Sequence, residues 1–322
     1  MTIRWGIIGC GDIARKRVAA AIQNQNSSGL VAAAGRNQEK LTSFCRDFGI
    51  PRSYDSPEQL LESPEIDAIY LATPPHLHAA HSCAASKAGK HVLVEKPMAM
   101  SVEECDAMLA SAAASQTQLA VAYYRRLYPV MNRLETLITT DVLGQPLAIS
   151  AVTSNGFGLG ADATGWRGDA AIAGGGALMD IGSHRIDLFV KLFGNAQKVS
   201  GIANQIGVTY ETENVATVVM EFTQGVQATL QTFFGTEVGL DQFRCVGTRG
   251  QIDIEDLNSG QMTVSTATRT WQESHPPADN LHGPLIDDFV DAIENGRPPA
   301  CDGSQGRETN RIMALAYETA QT

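Results

Sequence analysis

In the first third of the chain, short apolar runs alternate with segments whose apolar residues recur at helical spacing. The apolar runs cover residues 3–8, 31–34, 68–72, 92–94 and 119–122, and the helical segments cover residues 13–22, 39–48, 78–87 and 102–113. Strands separated by helices of this length are typical of right-handed βαβ units. The pattern predicts a parallel, doubly wound sheet.

The pattern changes after Tyr123. A Gly-rich and polar region at residues 155–168 precedes one amphipathic helix at residues 178–193. Alternating apolar and polar runs follow at residues 215–222, 226–234 and 243–246, with Gly-containing turns between them. This alternation predicts a mostly antiparallel sheet. Helical segments at residues 281–294 and 303–320 close the chain.

We therefore expect an α/β protein with two domains. Residues 1–122 are predicted to form a doubly wound α/β domain. Residues 123–322 are predicted to form an α+β domain with an open, mostly antiparallel sheet. A chain of 322 residues is long enough to build two cores. The apolar start is interpreted as a strand rather than a signal peptide, and no apolar stretch is long enough to span a bilayer.

The charge and the cysteines narrow the classes of partner and compartment. A net charge of -11 argues against a nucleic-acid or anionic-membrane surface, because both need a basic face. The six cysteines are scattered, without a CxxC pair or a zinc-type spacing with histidine. Reduced thiols in a cytoplasmic protein are the expected state.

A glycine motif follows the first predicted strand. Residues 9–14, GCGDIA, fit the pattern G-x-G-x-x-A at the point where the first helix opens. Gly9 allows a tight turn, Gly11 lets the backbone approach a pyrophosphate, and Ala14 lets the helix pack closely on the strand. The amino end of the helix then offers its free N–H groups to the phosphates. The motif predicts a dinucleotide site.

The end of the second strand bears on which dinucleotide is bound. NAD sites usually carry an acidic residue here, which binds the ribose 2′-hydroxyl. This chain has Gly35 and Arg36 instead, and Lys40 follows one helical turn later. A cation beside a missing carboxylate suits a 2′-phosphate. We expect NADP(H) to be favoured, with NAD(H) as the alternative.

Two further turns carry polar residues at strand ends. Residues 73–78, TPPHLH, follow the third strand, and their histidines lack the spacing of a metal-ligand set, so no metal site is expected. The run VLVEKP places Glu95 and Lys96 at the carboxyl end of a buried-type strand, which Pro97 terminates. Ligands of open α/β sheets bind at that end.

The last group of polar residues lies in AGGGALMDIGSHRID. Asp180 and His184 are four residues apart, so on a helix they project from the same side. The glycines before them allow a bound ligand to approach the backbone. An exposed acid and a surface histidine are the commoner interpretation of such a pair.

Taken together, these motifs resemble the glucose–fructose oxidoreductase, inositol dehydrogenase and rhizopine-catabolism (Gfo/Idh/MocA) family. The resemblance extends over nearly the whole chain and includes WGIIGCGDIA, GKHVLVEKPMAMS, GWRGD, GGGALMDIGSHRIDL and VGTRGQIDI. One departure is Gly35, because many relatives carry an acid there, which is the reason to favour NADP.

The resemblance implies hydride transfer between a nicotinamide and a carbon that bears a hydroxyl. It implies that residues 1–122 form a Rossmann domain that binds NAD(P), and that residues 123–322 bind substrate and mediate oligomerisation. It also implies a small sugar, polyol or diol as substrate, a homodimer or homotetramer built through the open sheet, and a Lys96–Pro97 bond that is often cis in similar proteins. The catalytic group implied by the resemblance is Lys96, Asp180 and His184. The expected cofactor-binding residues are Gly9, Gly11, Asp12, Ile13, Ala14, Arg36, Lys40, Thr73, Pro74, His78, Glu95 and Lys96. The expected substrate-contacting residues are Tyr123, Arg125, Trp166 and Arg167.

Three other functions stay open at this point. A non-catalytic dinucleotide-binding sensor is expected to lose one of the catalytic polar residues, whereas all three are present here. A glycosidase that uses bound nicotinamide for transient oxidation has relatives that tend to be longer. A pigment or imine reductase could be built on the same scaffold.

Overall fold

The computed structural model describes residues 2–159 and 165–320, which form two compact units. Unit 1 contains the chain up to Tyr124 together with Ala278–Arg307, and unit 2 contains Arg125–Pro277 together with the chain from Glu308. In the described part of the chain, no helix is both long and apolar enough to cross a membrane.

The regular elements are numbered along the chain. The strands are β1 (Ile3–Ile8), β2 (Ser28–Ala34), β3 (Arg52–Tyr54), β4 (Ala68–Leu71), β5 (His91–Val94), β6 (Leu119–Val121), β7 (Pro146–Asn155), β8 (Ala196–Asn204), β9 (Val215–Phe222), β10 (Gln227–Phe234), β11 (Leu240–Gly247), β12 (Gly250–Ile254), β13 (Gln261–Thr266) and β14 (Thr270–Ser274). The α-helices are α1 (Ala19–Asn24), α2 (Gln38–Phe48), α3 (Pro57–Leu61), α4 (His78–Lys87), α5 (Val102–Ser115), α6 (Pro129–Thr139), α7 (Ala170–Ala173), α8 (Ser183–Phe193), α9 (Gly283–Asn295) and α10 (Gly303–Ala320). Stretches of π-helix at Ala14–Val18 and Leu178–Gly182 lead into α1 and α8.

Unit 1 is built on a parallel sheet with the strand order β3-β2-β1-β4-β5-β6. This is the order of a Rossmann fold, and it confirms the predicted doubly wound sheet. All residues of β4 are buried, as are the last three of β5, because helices cover both faces of such a sheet. Helix α9 also belongs to unit 1, where the ring of Phe289 lies 5.6 Å from that of Trp5.

The helices of unit 1 begin and end on signals that are visible in the sequence. The side chain of Asn37 accepts a hydrogen bond from the N–H of Lys40 at the start of α2, and that of Ser101 accepts one from Glu104 at the start of α5. Helix α2 ends at Gly49, whose φ of 61° is left-handed. Strand β3 and helix α3 were not predicted, since each is too short to establish a period.

Unit 2 contains a mixed sheet with the strand order β14-β13-β12-β11-β7-β10-β9-β8. Among the strands that the structure describes, β7 and β10 pair in parallel and the other neighbours of this sheet are antiparallel, which confirms the predicted open and mostly antiparallel sheet. One face of the sheet is buried, where Phe189 and Phe193 of α8 lie 5.5 and 5.8 Å from the rings of Phe243 and Phe222.

The helix predicted at residues 178–193 is present, but its first turn is π-helical rather than α-helical. The predicted Gly-rich and polar region at residues 155–168 contains a short 3₁₀ turn at Trp166–Gly168, and residues 160–164 of that region lie outside the described residues.

Candidate active site

The glycine loop of unit 1 leaves room for a ligand at one position and none at another. A Cβ on Gly9, whose φ is 101°, would lie 2.6 Å from the carbonyl oxygen of Ala72, so only glycine fits there. A Cβ on Gly11 would meet no atom of the described residues within 4 Å. Ala14 is fully buried. The loop therefore passes close to the sheet while its second glycine faces open space.

Three loops of unit 1 meet in one row at the carboxyl edge of the sheet. Ile8, Leu71 and Val94 are aligned across β1, β4 and β5, which puts Gly9, Ala72 and Glu95 next to each other. The N–H of Ala72 donates to Ile8 O at 2.8 Å, and the N–H of Glu95 donates to Leu71 O at 2.9 Å. The structure thus brings the glycine loop, Thr73 and Lys96 to a single edge.

The side chains at the end of β2 are exposed. The side chains of Arg36 and Lys40 have no hydrogen-bond or ion-pair partner among the residues that the structure describes. Gly35 packs against Cys10 of the glycine loop, since a Cβ there would lie 3.4 Å from its sulfur. Two cations without partners therefore lie beside the dinucleotide loop, where a ribose-bound group would be recognised.

His78 connects two of the loops. Its ring is buried, with Nδ1 2.9 Å from the carbonyl oxygen of Pro97 and Nε2 2.7 Å from that of Thr73. Burial lowers the pKa of His78, and because both neighbours are acceptors, a neutral ring donates to only one of them. His78 therefore joins the turn after β4 to the turn after Lys96. Among the described residues there is no group of His, Cys, Asp and Glu that could hold a metal ion.

Lys96 is half-buried and lies on a turn that Glu95 supports. The Lys96–Pro97 bond is cis, as the resemblance implied. Glu95 is 9% exposed, and its carboxylate accepts hydrogen bonds from Tyr70 Oη at 2.7 Å and from the N–H of Lys96 at 3.2 Å. Burial alone would raise the pKa of Glu95, but His282 and Tyr70 outweigh it and the pKa lies below its ordinary value. A direct contact of Glu95 with the cofactor stays a prediction.

His282 was not identified from the sequence, although it completes this network. Its Nε2 lies 3.6 Å from Glu95 Oε1, and its ring lies 4.8 Å from the ring of Tyr124. The guanidinium of Arg17 lies over the Tyr124 ring, 5.4 Å from its centroid. Asn280 fastens the same segment by donating to Arg17 O at 2.9 Å. No motif marks His282, because the contact spans nearly two hundred residues of sequence.

In unit 2, Asp180 lies on the π-helical turn and His184 on the first turn of α8. His184 is 4% exposed, and the Asp180 side chain is 16% exposed. Stretches of π-helix are rare and often occur at functional sites. The turn packs on the sheet through Gly182, where a Cβ would lie 3.3 Å from Leu230, and through Thr232, whose hydroxyl donates to Ala177 O at 3.1 Å.

Two of the expected substrate residues join Asp180. Arg167 Nε donates to Asp180 Oδ2 at 3.1 Å, and the guanidinium of Arg167 lies 4.6 Å from the ring centroid of Trp166. Thr212 holds this segment by donating from its hydroxyl to Arg167 O at 2.9 Å. Trp166, Arg167 and Asp180 therefore form one cluster with an exposed aromatic ring and a half-exposed guanidinium.

The other two expected substrate residues have different surroundings. Tyr123 is buried in unit 1, where its carbonyl oxygen accepts a hydrogen bond from Cys301. Arg125 in unit 2 donates to Asp241 at 2.9 Å, and Arg185 pairs with the other oxygen of the same carboxylate. Asp241 was not identified from the sequence. Contact of Tyr123 and Arg125 with substrate stays a prediction.

The residues of unit 1 fit a nicotinamide dinucleotide. The open space at Gly11 would take the pyrophosphate, and the turn after β4 with Lys96 would lie at the nicotinamide end of the carboxyl edge. The fold and the loop together define a class, that of the dinucleotide-binding oxidoreductases with a second, sheet-based unit.

Comparison with known proteins agrees with this class. Residues 3–123 match the family described as "Oxidoreductase family, NAD-binding Rossmann fold", and residues 131–253 match the GFO/IDH/MocA C-terminal domain. The chain belongs to the GFO/IDH/MocA family and is an oxidoreductase.

Several characterised proteins are similar over almost the whole length. The chain is 30% identical to 1,5-anhydro-D-fructose reductase of Ensifer adhaerens, with 94% of this chain and 92% of the relative covered. It is 28% identical to D-xylose 1-dehydrogenase (NADP(+)) 2 of Haloferax volcanii, with 99% and 97% covered. The crystal structure of aldose-aldose oxidoreductase from Caulobacter crescentus with glycerol has a TM-score of 0.90 at 27% identity, with 100% and 98% covered.

Proposed function

We propose that this enzyme transfers a hydride between NADP(H) and a hydroxyl-bearing carbon of a sugar, polyol or diol. The observation that carries the proposal is the row at the carboxyl edge of unit 1, where Lys96 shares one edge with the glycine loop. A half-buried lysine at that edge is placed to meet the reacting end of a dinucleotide.

When bound, the nicotinamide supplies the hydride acceptor or donor. Oxidation of an alcohol also removes the hydroxyl proton, so a base and a cation are needed. His184 takes the proton, and Asp180 orients the imidazole and stabilises its charged form. Lys96 hydrogen-bonds the reacting oxygen and shares in the proton transfer. The pH profiles of single variants distinguish Lys96 from His184 as the formal base.

Preference for NADP(H) is supported by the exposed cations at the end of β2. The side chains of Arg36 and Lys40 have no partner among the described residues, so neither must break an ion pair to bind a 2′-phosphate. The similar D-xylose dehydrogenase is named for NADP(+).

A sugar-type substrate is supported by the cluster in unit 2. An exposed Trp166 ring beside Arg167 offers an apolar face and five N–H donors to a ring that carries hydroxyl groups. The named substrates of the similar enzymes, anhydrofructose and D-xylose, have this chemistry.

A homodimer or homotetramer is supported by the outer face of the sheet in unit 2. Two neighbouring rows on four adjacent strands carry only uncharged side chains, namely Ser200, Val219, Thr229 and Ser150, and Ile202, Thr217, Gln231 and Val152. An uncharged, partly apolar face of this width is typical of an interface between copies. A cytoplasmic location is supported by the six cysteines, which are all free.

A screen tests the function directly. The nucleotide that copurifies is identified by mass spectrometry, and aldoses, polyols and vicinal diols are then followed at the NADPH absorbance. We expect turnover with at least one of them. Turnover with none would contradict the proposal, and release of a glycoside without net change in the cofactor would replace it with the glycosidase function.

A further inference from the structure

A short segment before β9 holds both parts of the candidate site in unit 2. Thr212 binds the carbonyl of Arg167, and the N–H of Glu211 donates to Gly168 O at 3.0 Å. Glu213, the next residue, binds the start of the helical run that carries Asp180 and His184. Glu211, Thr212 and Glu213 were not identified from the sequence.

The carboxylate of Glu213 accepts three hydrogen bonds in a buried position. Gly176 N–H donates to Oε2 at 2.7 Å, Leu178 N–H donates to Oε1 at 2.9 Å, and Tyr317 Oη donates to Oε1 at 2.9 Å. The backbone carbonyl of Glu213 accepts a hydrogen bond from the N–H of Ala177 at 3.0 Å. One residue thus binds three consecutive N–H groups at the amino end of the helix.

Glycines lie at the amino end of the helix because Glu213 and Tyr317 approach the backbone there. A Cβ on Gly176 would lie 1.8 Å from Glu213 O, and a Cβ on Gly175 would lie 2.2 Å from the hydroxyl of Tyr317. From the sequence, these glycines were expected to let a ligand approach the backbone. At Gly175 and Gly176, glycine is instead required because Tyr317 and Glu213 lie close to the backbone. Gly176 O in turn accepts the N–H of Asp180 at 2.9 Å.

The hydrogen-bond partners of Glu213 favour its charged form, whereas burial opposes it. Burial raises the pKa of Glu213 above its ordinary value, and the two helix N–H groups and Tyr317 offset only part of this effect. The two backbone N–H groups can only donate, so a protonated carboxyl group could direct its O–H only at the hydroxyl of Tyr317. A negative charge at the amino end of a helix is also favourable.

We propose that Glu213 is a positioning residue, which fixes the helical turn of Asp180 and thereby the direction of the Asp180 and His184 side chains. The inference rests on the proposed function of these two residues. The turn is π-helical, and three glycines lie just before it, so the backbone on its amino side restricts it weakly. Glu213 and the contacts of Gly182 with the sheet restrict the conformation of the turn.

Glu213→Gln tests the proposal, because the amide keeps one acceptor and presents an N–H₂ group to the other helix N–H. Glu308→Gln is the matched control, since Glu308 is a buried glutamate of the same unit whose carboxylate accepts the N–H of Ala196 at 3.0 Å, on β8. Tyr317→Phe removes one donor and leaves both helix N–H bonds in place.

We expect Glu213→Gln to lower kcat about ten- to hundredfold, as small displacements of reacting groups do, with the Kd of NADPH unchanged. Tyr317→Phe is expected to have a smaller effect on kcat than Glu213→Gln. Glu308→Gln is expected to lower the thermal midpoint without changing kcat. Equal kcat in Glu213→Gln and in the unmutated protein would overturn the proposal.

A second readout does not depend on turnover. In the full-length protein labelled with ¹³C-histidine, the ring signal of His184 is assigned from its loss in His184→Ala. We expect this signal to move in Glu213→Gln and to keep its position in Glu308→Gln. An unmoved His184 signal in Glu213→Gln would overturn the positioning role of Glu213, even if no substrate were found. Absence of turnover in the unmutated enzyme would contradict only the proposed function.

Discussion

At the scale of single residues, Arg36 carries the expected cofactor preference. Its guanidinium is exposed beside the glycine loop and has no partner among the described residues. A charge-assisted hydrogen bond to a phosphate contributes roughly 1.5–3 kcal/mol, which corresponds to about ten- to hundredfold in Kd. Arg36→Ala should therefore weaken NADPH binding by that factor and leave NADH binding unchanged.

Fluorescence titration of both nucleotides measures this preference. Arg46→Ala is the control, since Arg46 is an exposed arginine at the other end of α2. Equal affinities of the unmutated protein for NADPH and NADH would refute the preference.

Asp180 and His184 are expected to act as a unit. Each of Asp180→Asn and His184→Ala should lower kcat, and the loss for His184→Ala should be about 10²–10⁴-fold. Because residues that act as a unit are not additive, the double variant should lose much less than the product of the two single losses. Multiplicative losses in steady-state kinetics would show that the two side chains work independently.

At the scale of elements, most strongly patterned segments could be predicted, whereas several short elements, helix α6 and strand β7 were missed. The seven predicted helical segments and the buried strands of unit 1 were evident because burial imposes a period of 3.6 or a continuous apolar run. Strand β7 was missed, although it lies in the middle of the second sheet, because PLAISAVTSN has small and apolar residues on both faces.

In the candidate site, too, local motifs could be predicted from the sequence and contacts between distant segments could not. Lys96, Asp180 and His184 lie in motifs that the sequence displays, whereas His282, Glu213 and Asp241 act through contacts with distant segments. Contacts between distant segments leave no local period, so they become visible only when the chain is folded. The π-helical turn at Leu178–Gly182 could not be predicted for a related reason, since its glycines also suit an ordinary loop.

The edge strand β14 is fastened by Glu273, which makes unit 2 sensitive to acid. Arg133 donates to both carboxylate oxygens, at 2.6 and 2.8 Å, and Trp271 and His275 bind the same group. The hydrogen bond from Arg133, which outweighs partial burial, lowers the pKa of Glu273 well below its ordinary range. A lowered folded-state pKa stabilises the protein above the unfolded value of about 4.3, and the stabilisation is lost as the pH falls below it.

Glu273→Gln should therefore destabilise the protein by about 1 kcal/mol at pH 7, since Arg133 is one-third exposed and the pair is partly screened by solvent. The difference from the unmutated protein should shrink as the pH is lowered through 4. Denaturant unfolding at several pH values measures the free energy of unfolding and its dependence on pH. Glu237→Gln is the control, since Glu237 is exposed. A difference that does not depend on pH would contradict the assignment.

At the scale of the whole molecule, the outer face of the sheet in unit 2 predicts an oligomer. Val219 is 50% exposed in the middle of this face, and Val238 is 76% exposed on the loop between β10 and β11. Val219→Lys would bury a charge if copies pack there, so it should shift the enzyme towards a monomer in light scattering, while Val238→Lys should not. A monomer at micromolar concentration in the unmutated protein would refute the oligomer.

In the proposed reaction, Lys96 acts on the reacting oxygen from the edge that it shares with the glycine loop. The most direct measurement is the turnover of Lys96→Met on the best substrate of the screen, with NADPH binding measured on the same sample. We expect kcat to fall by about 10²–10⁴-fold, because a positioned acid–base group is lost, while the Kd of NADPH stays the same. Near-full turnover by Lys96→Met would contradict this role and would place the hydride-transfer site elsewhere in the protein.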